Sequence, residues 1–312
     1  MFKNLESIFC LSLDLELLIG WHDLPNSIYE NRKKELENVR DRIYKLINVL
    51  EKNKIRCTWG VTSHLFLEKC DGHDDYPNKE WLLRDPRTGV KENPLWYAPD
   101  LINRLLQSDV DFEIGCHGFS HAIFSDIEEN QAGYELRMSR DLVKDWGIEL
   151  KSFIFPRNKE GHKKILAEFR YTAYRPRIRI DYKPKIIRAL DLLLARGGPG
   201  PVVPMIDEYG MVKIPPSICL EYESLLHKIF CKSPPRDTFR RYMESGLERT
   251  VSQGGVFHVW MHPCEYGKCV SQNDFEYLIN LVKKYETEGK LRILTMSQIA
   301  QKVCEIEKQK QK

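Results

Sequence analysis

The sequence predicts an α/β fold: one domain over residues 1–312, built as a distorted (β/α)7-type barrel with an inserted irregular segment at about 177–235. Two observations carry that expectation. Strand-like and helix-like stretches alternate along the chain, which implies parallel strands joined by crossover helices. About seven such units in a chain of this length suit a closed or nearly closed barrel.

The elements follow in order. "SIFCLSLDLEL" reads as the first strand, and residues 28–53 as a charged amphipathic helix with Val39, Ile43, Leu46, Ile47 and Leu50 on one stripe. "IRCTWGVT" is the second strand, followed by a loop over about 70–97 of a length that is usually functional or mobile. "PDLINRLLQS" is a short helix with Pro99 in its first turn, and "VDFEIGCHG" the third strand. A helix over 126–146 is opened by Ser125 or Asp126. "KSFIFPR" and "YTAYRPR" are further strands, "MVKIPPSI" a weaker one and "GGVFHVWMHP" a strong one. A helix over about 272–288 and a last strand and helix in "LRILTMSQIAQKV" complete the series. "ARGGPGPVVP" and "CKSPPRD" break regular structure, which defines the insertion.

Composition narrows the function classes. Hydrophobic residues make up 42% and charged residues 30%, as in a globular protein with a sizeable core. A net charge of +3, without a basic stripe interleaved with aromatics, argues against a nucleic-acid partner. Nine dispersed cysteines with no CxxC pair fit reduced thiols better than a disulfide framework. The N-terminal apolar run is broken by Asp14 and Glu16 and no stretch is long enough to span a membrane, so a cytoplasmic protein is expected.

In a parallel barrel, reactive groups gather at the C-terminal strand ends. In "SLDLEL", Ser12, Asp14 and Glu16 share one face and the leucines the other. Two acids aimed at the barrel mouth need a cation or hydrogen-bond donors, unless they fray into solvent or pair with a basic residue. In "CHGFSH", either His117 and His121 lie on one face of a helical turn or the chain bends at Gly118; both geometries let the rings converge on one ion. Arg157, after Pro156, would hold an acidic side chain ionised or sit at the surface. In "VFHVWMHP", His262 stands nearest the mouth and His258 lies about 13 Å further down, which assigns His262 to chemistry and His258 to a buried supporting role.

The ordered set "SLDLEL", "HGFSH", "SFIFPRN" and "FHVWMHP" resembles the polysaccharide deacetylase family, the NodB-homology group or carbohydrate esterase family four, over roughly residues 7–175 and 253–300. The resemblance implies a (β/α) barrel holding one divalent cation, usually zinc. It implies Asp14 as catalytic base, His117 and His121 as metal ligands, Glu16 as the third ligand and His262 as general acid. Two details differ from the common pattern: Leu15 separates the two acids, and Arg157 follows Pro156 rather than preceding a proline. No stretch matches the family's fourth motif.

The activity so implied is hydrolysis of an N-acyl group, acetyl on an amino sugar. Arg157 would orient Asp14, and Trp81, Trp96, Tyr97 and Asn158 would contact the sugar, the aromatics otherwise packing within their loop. A cytoplasmic location points to a nucleotide- or lipid-linked precursor of a surface polysaccharide. The alternatives are an amide hydrolase acting on a small non-sugar amide, and a catalytically silent barrel that binds a glycan or a protein.

Overall fold

The computed structural model describes residues 5–177, 199–221 and 237–310. The strands are β1 (Ser7–Leu15), β2 (Thr58–Val61), β3 (Glu113–Cys116), β4 (Ser152–Ile154), β5 (Ala173–Arg175), β6 (Met205–Ile206), β7 (Val212–Lys213), β8 (Ile218–Cys219), β9 (Gly255–Met261) and β10 (Arg292–Ile293). The helices are α1 (Asn26–Glu35), α2 (Val39–Lys52), α3 (Pro99–Leu106), α4 (Glu129–Lys144), α5 (Lys163–Glu168), α6 (Asp237–Gln253), α7 (Gln272–Thr287) and α8 (Met296–Lys310).

The strands form one 10-stranded sheet in the order β6-β7-β5-β4-β3-β2-β1-β9-β8, with β10 also on β1. Among the described strands only β6 pairs antiparallel; the β1–β2 and β1–β9 ladders that flank the centre are parallel. This is the expected α/β barrel in distorted form. The path of the sheet ends at β6 and β8; the Ser217 amide, just before β8, donates to the His258 carbonyl of β9 at 2.7 Å, and His258 Nδ1 lies 3.2 Å from the Ile214 carbonyl, just past β7.

β1 is central because one face is apolar along its whole buried length and the other is apolar over its first half. Leu11, Leu13 and Leu15 belong to the large core between sheet and helices. Ile8 and Cys10 face a second core inside the barrel, shared with Ile154, Val212, Met296 and Ile299. Helix α8 thereby plugs the N-terminal end of the barrel and leaves the C-terminal end as the mouth.

Three elements differ from the sequence expectation. The helix over 28–53 is two helices, because Asn38 takes the left-handed conformation at φ 57 and Arg42 donates to the carbonyls of Glu35 and Glu37 at the break. Helix α4 starts at Glu129; Ser125 and Asp126 do not cap it, and Asp126 instead pairs with Lys159 at 2.8 Å. The expected insertion is partly sheet, since residues 199–221 supply β6, β7 and β8. The rest of it, 178–198 and 222–235, lies outside the described residues.

Candidate active site

The mouth collects side chains from the ends of β1, β3, β5, β8 and β9. Beyond β1, the chain turns at Leu17 with φ 45 and leaves Glu16 only 5% exposed. Its Oε2 lies 2.9 Å from His121 Nε2 and 3.3 Å from His117 Nε2, and its Oε1 lies 3.5 Å from His262 Nε2. Burial alone would raise the Glu16 carboxyl, but the His121 and His262 rings outweigh it and hold it well below the usual range.

The two histidines converge because the chain bends at Gly118, the second of the two geometries weighed from sequence. Gly118 has φ +77, and a Cβ there would stand 3.0 Å from Glu135 Oε2. Glu135 is buried and fixes the bend by accepting from the amides of Phe119 at 2.7 Å and Ser120 at 3.0 Å and from the Tyr76 hydroxyl at 2.6 Å.

The donor set suits a divalent cation. His117 Nδ1 lies 2.7 Å from the Ile154 carbonyl, which takes a proton on Nδ1 and leaves Nε2, facing Glu16, as the ring's ligand atom. His121 Nδ1 is buried with no partner. Ligand atoms of Glu16, His117 and His121 lie within 4.8 Å of one another. Gly20 is the cradle: a Cβ there would stand 2.4 Å from Glu16 Cδ and displace the carboxylate.

Asp14, 3% exposed, meets a guanidinium that the sequence reading passed over. Arg175, at the end of β5, donates Nη1 to Oδ1 at 2.7 Å and Nη2 to Oδ2 at 2.5 Å. It also donates to Ser12 Oγ at 3.0 Å and stacks over the Trp260 ring at 4.3 Å. Burial would raise Asp14, but Arg175 overrides it and lowers the pKa. Arg157 is therefore corrected: at φ 55 after Pro156, its guanidinium turns to Asp23 at 2.7 Å and the Gly20 carbonyl at 3.1 Å, not to Asp14.

His262 has a carboxylate partner that was also missed. Glu221, just past β8, lies 2.9 Å and 3.0 Å from Nδ1 and accepts from the His262 amide. Burial would lower the His262 pKa, but Glu221 and Glu16 push it up to about 10. His258 is fully buried, 2.9 Å from Ser12 Oγ, and burial with the nearby Arg175 charge lowers it to about 3, in keeping with its assignment to support.

The expected sugar contacts do not form an open platform. Trp96 is 2% exposed and Tyr97 is fully buried; their polar atoms go to the Tyr29 hydroxyl and the Asp85 carboxylate. Trp81 is half-buried, donates to Ser120 Oγ at 2.9 Å and packs edge-on against His22. Asn158 Oδ1 accepts from Arg175 at 3.1 Å, which makes it a brace for that guanidinium. The side chains of His262 and Arg157, 19% and 27% exposed, mark where solvent reaches the site.

Arg175 and Glu221 both had a signal. Each stands at or just past the C-terminal end of a strand, the same criterion that selected Asp14 and His262.

A model of the polysaccharide deacetylase family matches residues 21–176, half of the 312-residue chain. The matched span contains His117, His121 and Arg175 and stops short of Asp14, Glu16 and His262. A candidate polysaccharide deacetylase from Mycobacterium smegmatis superposes with a TM-score of 0.64 at 13% identity, over 98% of this chain and 93% of that one. A counterpart from Pseudomonas aeruginosa PAO1 gives 0.58 at 10%, and Puue allantoinase 0.57 at 10%, each over 94% of this chain and 89% of the other. These likenesses establish the fold. No curated protein matches the chain.

Proposed function

Since the chain belongs to the polysaccharide deacetylase family, we propose that it is a metal-dependent hydrolase that removes an acetyl group from the nitrogen of an amino sugar. The observation that carries the reading is the Glu16 carboxylate set among the Nε2 atoms of His117 and His121. Those three residues would hold the cation, with zinc favoured by two imidazoles and one carboxylate. When bound, such an ion polarises an acyl carbonyl and acidifies water.

The chain's own groups do the proton work. Asp14, kept ionised by Arg175, accepts the proton of the water that attacks the carbonyl carbon. His262, kept as imidazolium by Glu221, donates its proton to the amine nitrogen as the carbon–nitrogen bond breaks. Arg175 also holds Asp14 in place, and Asn158 and Trp260 hold Arg175.

The finer substrate assignment is a nucleotide- or lipid-linked amino sugar. A second reading, hydrolysis of a small cyclic amide, is favoured by the burial of Trp96 and Tyr97, which leaves no aromatic groove from that loop.

The test is acetate release from a panel of acetylated sugar nucleotides, with ring opening of a cyclic ureide assayed beside it. Wild type is expected to release acetate, and Asp14→Asn to lose about 100- to 10,000-fold of the rate. Equal rates in both proteins would remove Asp14 as base. Turnover of the ureide alone would establish the second reading, and no turnover by a metal-loaded protein would leave a glycan- or protein-binding barrel.

A further inference from the structure

The loop between β2 and α3 holds a second cluster of donor atoms, packed beside Trp96 and Tyr97. His64 comes from the 3-10 turn that follows β2; Cys70, His73 and Asp85 come from the loop itself. One ligand atom from each lies within 4.8 Å of the others. Cys70 Sγ is 3.1 Å from His73 Nε2 and 3.3 Å from Asp85 Oδ2. Asp85 Oδ2 is also 3.2 Å from His64 Nε2 and 3.4 Å from His73 Nε2.

We propose that His64, Cys70, His73 and Asp85 form a second metal centre, a structural zinc site that staples this loop to the end of β2.

Geometry is the first support. Zinc bonds of about 2.0–2.3 Å in a tetrahedron separate neighbouring ligand atoms by about 3.3–3.8 Å. Two of these contacts, 3.3 Å and 3.4 Å, lie in that range and two, 3.1 Å and 3.2 Å, fall just short of it, as in a cage that an ion would spread slightly.

Proton placement is the second. His64 Nδ1 lies 3.2 Å from the Trp96 carbonyl, which puts a proton there and leaves Nε2, aimed at Asp85 Oδ2, as the ring's ligand atom. Asp85 Oδ1 already accepts from the Tyr97 hydroxyl and the Arg87 amide, each at 3.0 Å. Oδ2 thus faces the Nε2 atoms of His64 and His73 and the Cys70 sulfur, whose thiol donates to it, in a place where His64 is fully buried and Asp85 is 8% exposed. A cation would replace the protons shared among these groups and bind all four at once.

The surroundings of the sulfur are the third. The Gly72 amide donates to Cys70 Sγ at 3.2 Å, from a backbone at φ +119 that only glycine adopts readily. An amide pointed at sulfur in a tight turn stabilises a thiolate ligand. A cavity of about 300 Å³ lined by His73, Asp85 and Arg87 gives an ion a way in.

Four protein donors leave no open position, which is the mark of a structural rather than a catalytic zinc. The loop so fixed carries Tyr76 and Trp81, both of which bond Ser120 next to His121. The second ion would therefore brace the first site through the Gly118 bend.

Sulfur distinguishes the two centres. The full-length protein, loaded with cobalt(II), is expected to take up two equivalents by elemental analysis and to show a thiolate-to-cobalt charge-transfer band in the near ultraviolet. Cys70→Ser should abolish the band and one equivalent, and Glu16→Gln should keep the band and lose the other. X-ray absorption of the wild-type zinc protein should show a sulfur neighbour at about 2.3 Å, which keeps the proposal testable if Cys70→Ser does not fold. A cobalt protein without the band, a band that survives Cys70→Ser or vanishes in Glu16→Gln, or zinc with only nitrogen and oxygen neighbours would overturn it.

Discussion

The two ends of the barrel each carry a glutamate at the rim, and they satisfy it in opposite ways. At the plugged end Glu113 accepts from Thr58 Oγ1 at 2.7 Å, Ser152 Oγ at 2.5 Å and the Ser297 amide at 3.1 Å. Its lone pairs are filled by hydroxyls and a backbone N–H, and α8 seals the space above. At the mouth Glu16 meets imidazoles, one of which has its proton pinned on the Ile154 carbonyl. Burying a carboxylate costs several kcal/mol unless donors or a cation compensate. The fold supplies donors at one end and, at the other, a set of atoms that suits an ion. The lesson is that burial of an acid does not mark function; the chemistry of its partners does.

The strongest way to break that comparison is Glu16→Gln. The amide is the same size and fits the Gly20 cradle, so the fold should persist, with circular dichroism and thermal midpoint close to wild type. Removing the charge from the three-residue set should weaken metal binding at this site by at least about 100-fold, beyond the 10- to 100-fold cost of disturbing a supporting group. Hydrolysis at limiting metal should fall in step. Retained affinity, read by titration against a competing chelator, would place the ion elsewhere.

How much of this was legible before the fold was known depends on the kind of signal. β1, β3 and β9 were readable because runs such as "SIFCLSLDL" and "GVFHVWM" are long and apolar, and their strand ends gave Asp14, Glu16, His117, His121 and His262. β5 and β8 are three and two residues long, and strands that short carry too little alternation to say which side chains point inward. Arg175 sits in "YTAYRPR" between Tyr174 and Pro176, beside a more conspicuous arginine after "FIFP", so position in space, not pattern, decides which one meets Asp14. Trp96 and Tyr97 stayed open between two readings for a related reason: aromatics in a polar loop fit a binding surface or loop packing equally well until the loop folds back on itself and buries them. The break at Asn38 and the late start of α4 reflect local hydrogen bonds by Arg42 and Lys159 that come from tertiary placement.

A finer probe of the mouth is Glu221→Gln. The imidazolium of His262 is favoured by Glu221 and Glu16, which push it up to about 10; a cation on Glu16 would cancel that carboxylate's share and leave Glu221 to set the rest. Taking away the neighbouring anion lowers the pKa, so the alkaline limb of the rate profile should move to lower pH, with a loss of about 10-fold near neutrality, while the acid limb set by Asp14 stays. The sign holds for stability too. A raised folded-state pKa gives stabilisation that is complete below the unfolded value of about 6.5 and is lost as pH climbs towards 10. The variant should therefore lose stability at neutral pH and approach wild type only as pH rises past about 10. An unmoved alkaline limb would take His262 out of the proton transfer.

The smallest effect on catalysis is expected from the opposite end. Glu113→Gln keeps shape and an acceptor oxygen, which can stay at the Oε2 place to serve Thr58 Oγ1 and the Ser297 amide, while the new NH2 at the Oε1 place faces Ser152 Oγ, whose hydroxyl can rotate to accept. What is lost is the charge on the bonds that hold the start of α8, where the Met296 amide also depends on Thr58 Oγ1 at 2.9 Å. Losing one well-placed bond to a charged group costs about 1–3 kcal/mol, and chemical denaturation should show it as a lower midpoint with an unchanged slope. The rate per folded molecule and the metal content should stay at wild-type values, because the barrel's full length lies between the plug and the mouth. If this change instead lowered metal affinity as Glu16→Gln does, the two rims would be coupled through β2 and β3, and the division between a structural end and a reactive end would fail.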